Sequence, residues 1–302
     1  MDFQLTEDQR ALQGGVRELL DGRFDAAALR AAADSGTPSL DRALWRELGE
    51  AGFFSLRVPE EEGGVGLGLP EAVLVFEEAG RALLPGPLVA TFLAAREVTG
   101  AAQGATVVTT VSGGLVPWLD EADVVHGDVS GAVPLRSVDP LTPLHRVPGD
   151  QQGWAASSEA PSAFTAAASS EADLLIAAEQ LGSAGRTCEM AVRYARERTQ
   201  FGRSIGSFQA VKHLCAQMLV RTEVARAAVY AASVTGDGAE ITAAKLLADE
   251  AAERGARDCL QVHGGMGFTW EADVHLHLKR AWVRAGLGKA AARAEEELAA
   301  AL

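Results

Sequence analysis

The segment RYARERTQFGRSIGSFQAVKHLCAQM, residues 193–218, carries the strongest pattern in this sequence. Both of its ends have the spacing of an amphipathic helix, and the motif RTQFG interrupts them. Arg198 supplies a planar fork of donors that suits phosphate oxygens, and Gln200 can donate to an anion or a ribose. Phe201 can lie against an aromatic base, and Gly202 allows a turn where a side chain would clash. Taken alone, such a motif is more often a turn with a capping arginine.

A second motif, QVHGGMGF, follows at residues 261–268. A glycine at the end of a helix usually forms a C-terminal cap in the left-handed conformation. Three glycines within four residues exceed what a cap requires, and they would let a phosphate-bearing ligand approach the backbone closely. This motif, too, is weak when it stands alone.

Helical periodicity surrounds both motifs from about Asp173 to the end of the chain. It predicts one long helix before the RTQFG motif, followed by helices over about 208–232, 238–262 and 271–299. Four long helices with short joints are typical of an antiparallel bundle.

The first half of the chain has a different pattern. Thr6 and Gln9 form a capping-box signature, and helices are predicted after it, from Pro38 to about Gly52, after Pro70, and up to about Gly100. From Gly104 the segments become short and β-branched, which predicts strands to about residue 153, and an Ala/Ser-rich connector follows over 154–172. The predicted domains are an N-terminal helical domain (1–103), a reduced β-domain with linker (104–170) and a C-terminal four-helix bundle (171–302).

Composition excludes several classes of function. The 302 residues carry a formal net charge of −14, which argues against nucleic acid or an anionic membrane as the main partner. Three scattered cysteines, Cys188, Cys215 and Cys259, fit a reducing compartment. The N-terminus is acidic and polar and no apolar run reaches transmembrane length, so we expect a cytoplasmic protein. His275 and His277 are two residues apart, a spacing that does not put two imidazoles on one helix face, so no metal site is expected.

Together, the motifs resemble the acyl-CoA dehydrogenase family of flavoproteins: Arg198-x-x-Phe201-Gly202, then Phe208-Gln209, then Gln261-x-x-Gly264-Gly265, with LRVPEEEGGVGLG upstream. The resemblance implies a mainly α fold with an N-terminal helical domain, a middle β-domain and a C-terminal four-helix bundle. It also implies FAD as cofactor. The family residues that match Arg198, Gln200, Phe201, Gln209, Gln261, Gly264 and Gly265 hold the ADP half of FAD across a subunit interface.

The middle segment departs from the family pattern. Family members have a longer β-domain, with a Thr-Glu-Pro-Gly type segment against the flavin ring and a later Trp-(Ile)-(Thr/Ser)-Asn element. Between Gly104 and Ser170 the nearest text is TTVSGGLV, which lacks the acid and the proline, and Trp118 and Trp154 lack the flanking pattern. We therefore expect that this β-domain does not hold an isoalloxazine ring.

The catalytic base is the second departure. In the family a glutamate abstracts the α-proton, and aligning on the HGGMGF motif puts Gly288 at its usual position. A minority of members place the glutamate on the earlier long helix, where this chain has Ala172. Glu171 and Asp173 flank that position, but helical neighbours point about 100° apart. The favoured interpretation is an acidic first turn of a helix, so no catalytic residue is assigned.

These observations leave three hypotheses. The leading one is a non-catalytic subunit of a heteromeric FAD-dependent acyl-CoA dehydrogenase, an oxidoreductase that desaturates an acyl-CoA thioester between its α and β carbons. The resemblance implies a longer homologue as partner in an α2β2 heterotetramer, an electron-transfer flavoprotein or similar acceptor, and a place in actinobacterial steroid and lipid degradation. The alternatives are a self-sufficient homo-oligomer with Asp173 or Glu171 as base, and a non-redox module that binds a partner or an acyl thioester.

Overall fold

The structure, a computed structural model, describes residues 4–36, 38–148 and 163–300. It is mainly helical, with short strands in the middle, which confirms the predicted fold class. The helices are α1 (Glu7–Arg23), α2 (Ala26–Asp34), α3 (Arg42–Glu50), α4 (Leu69–Ala82), α5 (Leu88–Leu93), α6 (Ala163–Glu197), α7 (Gln209–Thr235), α8 (Gly238–His263), α9 (Val274–Ala285) and α10 (Ala291–Ala300). The strands are β1 (Val108–Thr110), β2 (Leu115–Pro117), β3 (Val124–His126), β4 (Val133–Leu135), β5 (Leu144–Arg146), β6 (Thr199–Gln200) and β7 (Arg203–Ser204).

Local capping fixes the starts of the N-terminal helices. The predicted capping box is present in α1, where Thr6 Oγ1 accepts from the Gln9 N–H and Gln9 Oε1 accepts from the Thr6 N–H, both at 3.1 Å. Helix α3 begins later than predicted because Asp41, not Pro38, supplies the N-cap: its carboxylate accepts the backbone N–H groups of the first turn. Helix α2, capped by Asp25 in the same way, was not predicted.

The predicted strands are confirmed as five three-residue strands between α5 and α6. Strands β1 and β3 pair in parallel, and β2, β5 and β4 form an antiparallel sheet in that order. The first part of the predicted connector, through residue 162, lies outside the described residues. Its second part is helical, since α6 begins at Ala163, and alanine is the strongest helix former.

Helices α6 to α10 form the bundle. Gly236, at φ +65°, ends α7, and the Asp237 carboxylate caps α8 by accepting from two backbone N–H groups of its first turn. The single helix predicted over 271–299 was wrong: α9 ends at Ala285 and α10 begins at Ala291. The interruption contains Gly288 at φ +73°, a conformation that a helix does not accommodate and that glycine adopts without a Cβ clash.

The N-terminal helices and the bundle meet where α4 crosses α6. A Cβ atom on Gly80 of α4 would overlap the Glu179 carbonyl oxygen, and a Cβ atom on Gly182 of α6 would overlap the Glu77 carbonyl oxygen. The two backbones therefore touch. One buried apolar cluster continues across this contact from Trp45 and Phe76 to Leu181. Within the described residues, no helix is long and apolar enough to cross a membrane; the cytoplasmic location stays a prediction.

Candidate functional site

The RTQFG motif forms a two-stranded hairpin between α6 and α7. Strands β6 and β7 pair Thr199 with Ser204 and Gln200 with Arg203, which leaves Phe201 and Gly202 as the two turn residues. Both have positive φ, +54° and +75°, as a type I′ turn requires. A bulky residue in this region is strained by about 1–3 kcal/mol. The Phe201 side chain is nevertheless 90% exposed, so burial of its ring within this chain does not explain the conformation.

Arg198 enters this hairpin from the end of α6. Its backbone is fixed on both sides: its N–H donates to the Tyr194 carbonyl at 2.9 Å, and its carbonyl accepts from the Ile205 N–H at 2.8 Å. Its exposed guanidinium makes no side-chain hydrogen bond or ion pair with the described part of the chain. The backbone thus presents a free five-donor fork to the outside.

The start of α7 adds backbone donors next to the hairpin. Gln209 is its first residue and is exposed, and Phe208 at the N-cap position provides no side-chain acceptor. The first N–H groups of a helix lack intrahelical partners, and the helix dipole favours negative charge there. An anion beside this 27-residue helix would therefore find unsatisfied donors.

The second motif lies at the end of α8, where Gly264 has φ +58° and opens a short 3-10 turn. Gln261 is exposed, and a Cβ atom on Gly264 or Gly265 would meet no atom within 4 Å. Gly267 differs, because a Cβ there would meet the Leu260 carbonyl at 2.8 Å. Close packing therefore explains why residue 267 is a glycine, whereas Gly264 and Gly265 face open space.

The fold brings the two motifs to one end of the bundle. Tyr194 of α6 stacks on His263 of α8, with ring centroids 4.1 Å apart and planes at 20°. Tyr194 is one helical turn before Arg198, and His263 is two residues after Gln261. We call the exposed surface made by Arg198, Gln200, Phe201, Gln209, Gln261, Gly264 and Gly265 the clamp surface.

The clamp surface has the chemistry of a nucleotide-diphosphate site. It combines a free guanidinium, three exposed amides, an exposed aromatic ring, an uncapped helix start and two glycines with open space. Phosphate oxygens would take the charged and backbone donors, and an adenine would take the ring. All of these groups face outward, so a ligand here would stay half-exposed unless another chain covers it.

A separate cavity lies where the N-terminal helices, the strands and the bundle meet. Its free volume is about 80 Å³, whereas ligand pockets commonly measure roughly 300–1,000 Å³. Trp118, only 2% exposed and at φ +60°, lines it, and so does the ion pair between Arg284 Nη2 and Glu179 Oε1 at 2.8 Å. The cavity is too small for a flavin ring or an acyl thioester.

Two arginines of α9 line this cavity, and each is paired with a carboxylate. Arg280 pairs with Asp139 from the loop between β4 and β5, and both side chains are almost fully buried. Burial lowers the pKa of the Arg284 guanidinium to about 10, although Glu179 opposes this shift. Removing one partner of such a pair leaves an uncompensated buried charge, so both pairs resist opening.

Asp173 is not in an acidic first turn, so that interpretation was wrong. Helix α6 begins at Ala163, which puts Asp173 in its third turn, and the side chain is buried at 4% exposure. Its Oδ1 accepts the backbone N–H of Lys289 at 3.1 Å. Burial raises the pKa of the Asp173 carboxyl, while the charge of Lys245 and the Lys289 N–H partly offset this rise.

Gly288 lies directly against Asp173. A Cβ atom on Gly288 would overlap Asp173 Oδ1, so this backbone conformation has no room for a side chain at position 288. The Gly288 N–H donates to Ser112 Oγ at 2.7 Å, which fixes the loop from the other side. Glu171, the other flanking acid, forms an ion pair with Arg57 at 2.6 Å. Both acids near Ala172 are therefore held by partners within the chain.

The two histidines lie in different surroundings. His277 is fully buried with its Nδ1 2.8 Å from Ser183 Oγ, and His275 stacks on Trp270. Across the described ranges, no group of three or more His, Cys, Asp or Glu side chains is arranged to hold a metal ion. Cys188 and Cys259 are buried and Cys215 is half-buried, all as free thiols.

Sequence reasoning missed Arg203, which stacks on Phe208 beside the clamp surface, and the lysines around Asp173. Arg203 lies opposite Gln200 in a hairpin with a two-residue turn, and this spacing in the sequence could have identified it. No local signal pairs Asp173 with Lys245 and Lys289, which lie 72 and 116 positions further along the chain.

Known protein families and individual known proteins are similar to most of the chain. Residues 6–114 match the family description "Acyl-CoA dehydrogenase, N-terminal domain", and residues 170–288 match "Acyl-CoA dehydrogenase, C-terminal domain". Acyl-CoA dehydrogenase IpdE2 of Mycobacterium tuberculosis is 36% identical over 304 residues, covering 91% of each protein. FadE34 of the same organism is 33% identical over 89% of this chain and 45% of its own length. One chain in a crystal structure of the ChsE4–ChsE5 complex from M. tuberculosis superposes with a TM-score of 0.79 at 26% identity, covering 99% of each chain.

Proposed function

This chain belongs to the acyl-CoA dehydrogenase family of flavin-dependent oxidoreductases, and from that premise we propose that it is the ADP-holding subunit of a heteromeric enzyme. Its clamp surface binds the ADP half of FAD. A longer homologue supplies the flavin-ring pocket and the glutamate that abstracts the α-proton. The complex introduces an α,β double bond into an acyl-CoA thioester.

The observation that carries this proposal is an asymmetry within the chain. The clamp surface is exposed and its guanidinium and glycines are free to meet a ligand. The interior cavity, by contrast, is about 80 Å³ and is lined by buried ion pairs. This contrast supports the proposal that the chain contributes one half of a shared site.

The carboxylates support the same assignment. A general base must reach the proton that it abstracts, directly or through one water. Asp173 is buried against Gly288 and Lys289, and Glu171 is paired with Arg57. The lining of the interior cavity includes Ala172, Thr110 and Ser112, but neither of the two acids. The base is therefore assigned to the partner.

In the assembled enzyme, FAD supplies the acceptor for the hydride from the β-carbon. The residues of this chain bind and orient the nucleotide end of that cofactor: Arg198 neutralises phosphate charge, and Phe201 lies against the adenine. The N–H groups at the start of α7 donate to phosphate oxygens. Orientation of this kind contributes to rate because it fixes the reacting groups before the chemical step.

The similarity to known proteins motivates our proposals for the partner chain and for the substrate class. The ChsE4–ChsE5 structure is a complex of two components, and the chain compared within it has the same extent as this one. That likeness supports a longer homologue as partner. The α2β2 stoichiometry and an electron-transfer flavoprotein or similar protein as acceptor are proposed from the family resemblance alone. A steroid acyl-CoA dehydrogenase of two components has the same fold, with a TM-score of 0.80. A steroid-derived acyl-CoA is the substrate class that we would test first.

Expression with and without the partner tests this function. Expressed by itself, the chain should be colourless and should self-associate through apolar residues exposed on α7, which include Leu219, Val220 and Val224. Expressed with a longer homologue encoded beside it, the chain should co-purify as a yellow complex with fewer flavins than chains. The measurements are the visible spectrum, the mass of the complex and the flavin-to-chain ratio.

A different result would favour one of the alternatives. A yellow, monodisperse homo-oligomer that bleaches on addition of an acyl-CoA would identify a self-sufficient enzyme. A colourless complex with the homologue that binds an acyl-CoA would identify a non-redox module.

A further inference from the structure

Arg203 occupies a defined position beside the clamp surface. It pairs with Gln200 across the β6–β7 hairpin. Directly opposed residues of an antiparallel pair project from the same face, with Cβ atoms about 4.5–5.5 Å apart. The Arg203 side chain therefore leaves the hairpin on the face that presents Gln200, and it does so two residues after the exposed ring of Phe201.

An aromatic contact holds this arginine in place. Its guanidinium carbon lies 4.4 Å from the centroid of the Phe208 ring, and Phe208 meets Phe201 edge to face at 6.0 Å and 88°. A guanidinium that stacks on a ring keeps its N–H donors at the rim free. Arg203 forms no ion pair or side-chain hydrogen bond within the described ranges, so these donors have no partner in this chain.

The electrostatic setting favours an anion at this point. The chain as a whole carries a net charge of −14, but residues 198–203 contain two arginines and no acidic residue. The uncapped start of α7 lies directly after Phe208, and its free N–H groups add positive potential. Two cationic side chains, Arg198 and Arg203, thus flank the Phe201–Gly202 turn next to a helix N-terminus.

We infer that Arg203 is a second phosphate-binding cation of the clamp surface, which contacts the diphosphate together with Arg198. The inference rests on the proposed function, because it assumes that an ADP group occupies this surface. Phe208 positions the guanidinium, and Arg203 neutralises charge that a single arginine leaves on the diphosphate. A role limited to bracing Phe201 through Phe208, or to an ion pair with the partner chain, is the competing explanation.

A ligand series separates these explanations. Arg203→Ala and Arg203→Lys are compared with wild type and with Arg196→Ala, a matched loss of an exposed arginine on the last turn of α6. The full chain, alone and in complex with the longer homologue after FAD has been removed, is titrated with ADP, AMP and adenosine by calorimetry, and circular dichroism checks that each variant is folded.

The expected result is a loss that follows phosphate charge. Arg203→Ala should weaken ADP binding about tenfold, weaken AMP binding less and leave adenosine binding unchanged. Arg203→Lys should recover part of the ADP affinity, because it keeps the charge but loses the planar stack. Arg196→Ala should bind all three ligands as wild type does.

Three results would overturn the inference. An ADP affinity of Arg203→Ala within twofold of wild type would remove Arg203 from the site. Equal losses for adenosine and ADP would show that Arg203 acts through the position of Phe201. Weaker assembly with unchanged affinity for ADP would assign Arg203 to the partner interface. A wild-type chain that binds no ADP in either preparation would refute the proposed function itself, and the inference with it.

Discussion

The carboxylate of Asp173 occupies the space into which a side chain on Gly288 would project. The two residues are 115 positions apart, one in the third turn of α6 and the other in the loop between α9 and α10. The family places its usual catalytic glutamate at the second of these positions. In this chain a carboxylate is present nearby, but it comes from a different element and is held by the Lys289 N–H.

A side chain at position 288 should therefore destabilise the protein for two separate reasons. Gly288→Ala adds the cost of a left-handed residue, about 1–2 kcal/mol, to a steric conflict with Asp173 of about 1–3 kcal/mol. Gly236→Ala is the matched control, since Gly236 also has positive φ but open space around it. In an Asp173→Ala background the excess cost at position 288 should disappear. Urea unfolding measures all four free energies, and equal costs at 236 and 288 would contradict the overlap.

The two acids near Ala172 should be dispensable for turnover. Asp173→Asn and Glu171→Gln in the assembled enzyme should change the rate of acyl-CoA oxidation less than about threefold. Loss of a true general base typically lowers the rate by about 10²–10⁴-fold. Steady-state assays of each reconstituted variant give the answer, and a drop of that size in either would restore the self-sufficient hypothesis.

Removal of the Arg198 guanidinium should release flavin without unfolding the chain. A charge-assisted contact to phosphate contributes about 1.5–3 kcal/mol, so Arg198→Ala should weaken flavin binding about ten- to a hundredfold. Arg254→Ala provides the comparison, because Arg254 is an exposed arginine of α8 that pairs with Glu250. Flavin titration of the complex is the measurement. Equal affinities in the two variants would exclude Arg198 from the site.

The folded state should lose stability as the pH falls, because His277 is buried in its neutral form. Burial, together with Arg186, Arg284, Arg280 and Arg81 around it, lowers the pKa of this histidine from 6.5 to about 3. Below about pH 6.5 the unfolded chain binds a proton that the folded chain excludes, so the stability present above that pH is lost as pH falls. The slope is at most about 1.4 kcal/mol per pH unit.

The variant His277→Gln should show a shallower decline of unfolding free energy between about pH 6.5 and pH 5 than the wild type. Urea denaturation at a series of pH values measures both curves. His213→Gln, on the exposed face of α7, controls for the loss of an imidazole as such. Parallel curves for wild type and His277→Gln would show that this histidine is not the proton-linked group.

The parts of the fold that sequence reasoning predicted are those with local causes. The Thr6–Gln9 capping box and the joint at residues 236–238 involve residues a few positions apart, and the structure contains both. The strands between Gly104 and Pro148 follow from β-branched residues between turn formers. The residue types of the clamp surface were also recognisable, because anion and ring recognition require particular side chains.

The remaining features depend on contacts between distant segments. Asp173 was assigned to the acidic first turn of a helix, because the Ala/Ser-rich stretch before it does not show where the helix begins. Its burial depends on Lys245 of α8 and on Gly288 and Lys289 of the loop between α9 and α10, which only the folded chain brings to it. The break between α9 and α10 was missed for the same reason, since Ser112 and Asp173 hold that loop from outside.

The contact of α4 with α6 constrains how such a chain can diverge over evolutionary time. Gly80 and Gly182 belong to segments that match two separate family domains, yet each lies against the backbone of the other's helix. A substitution that adds a side chain to either helix at this crossing requires a shift in its partner. We therefore expect the two domains to change together at this crossing, and a chimera that exchanges one domain between homologues should keep its fold only if the crossing glycines are retained on both sides.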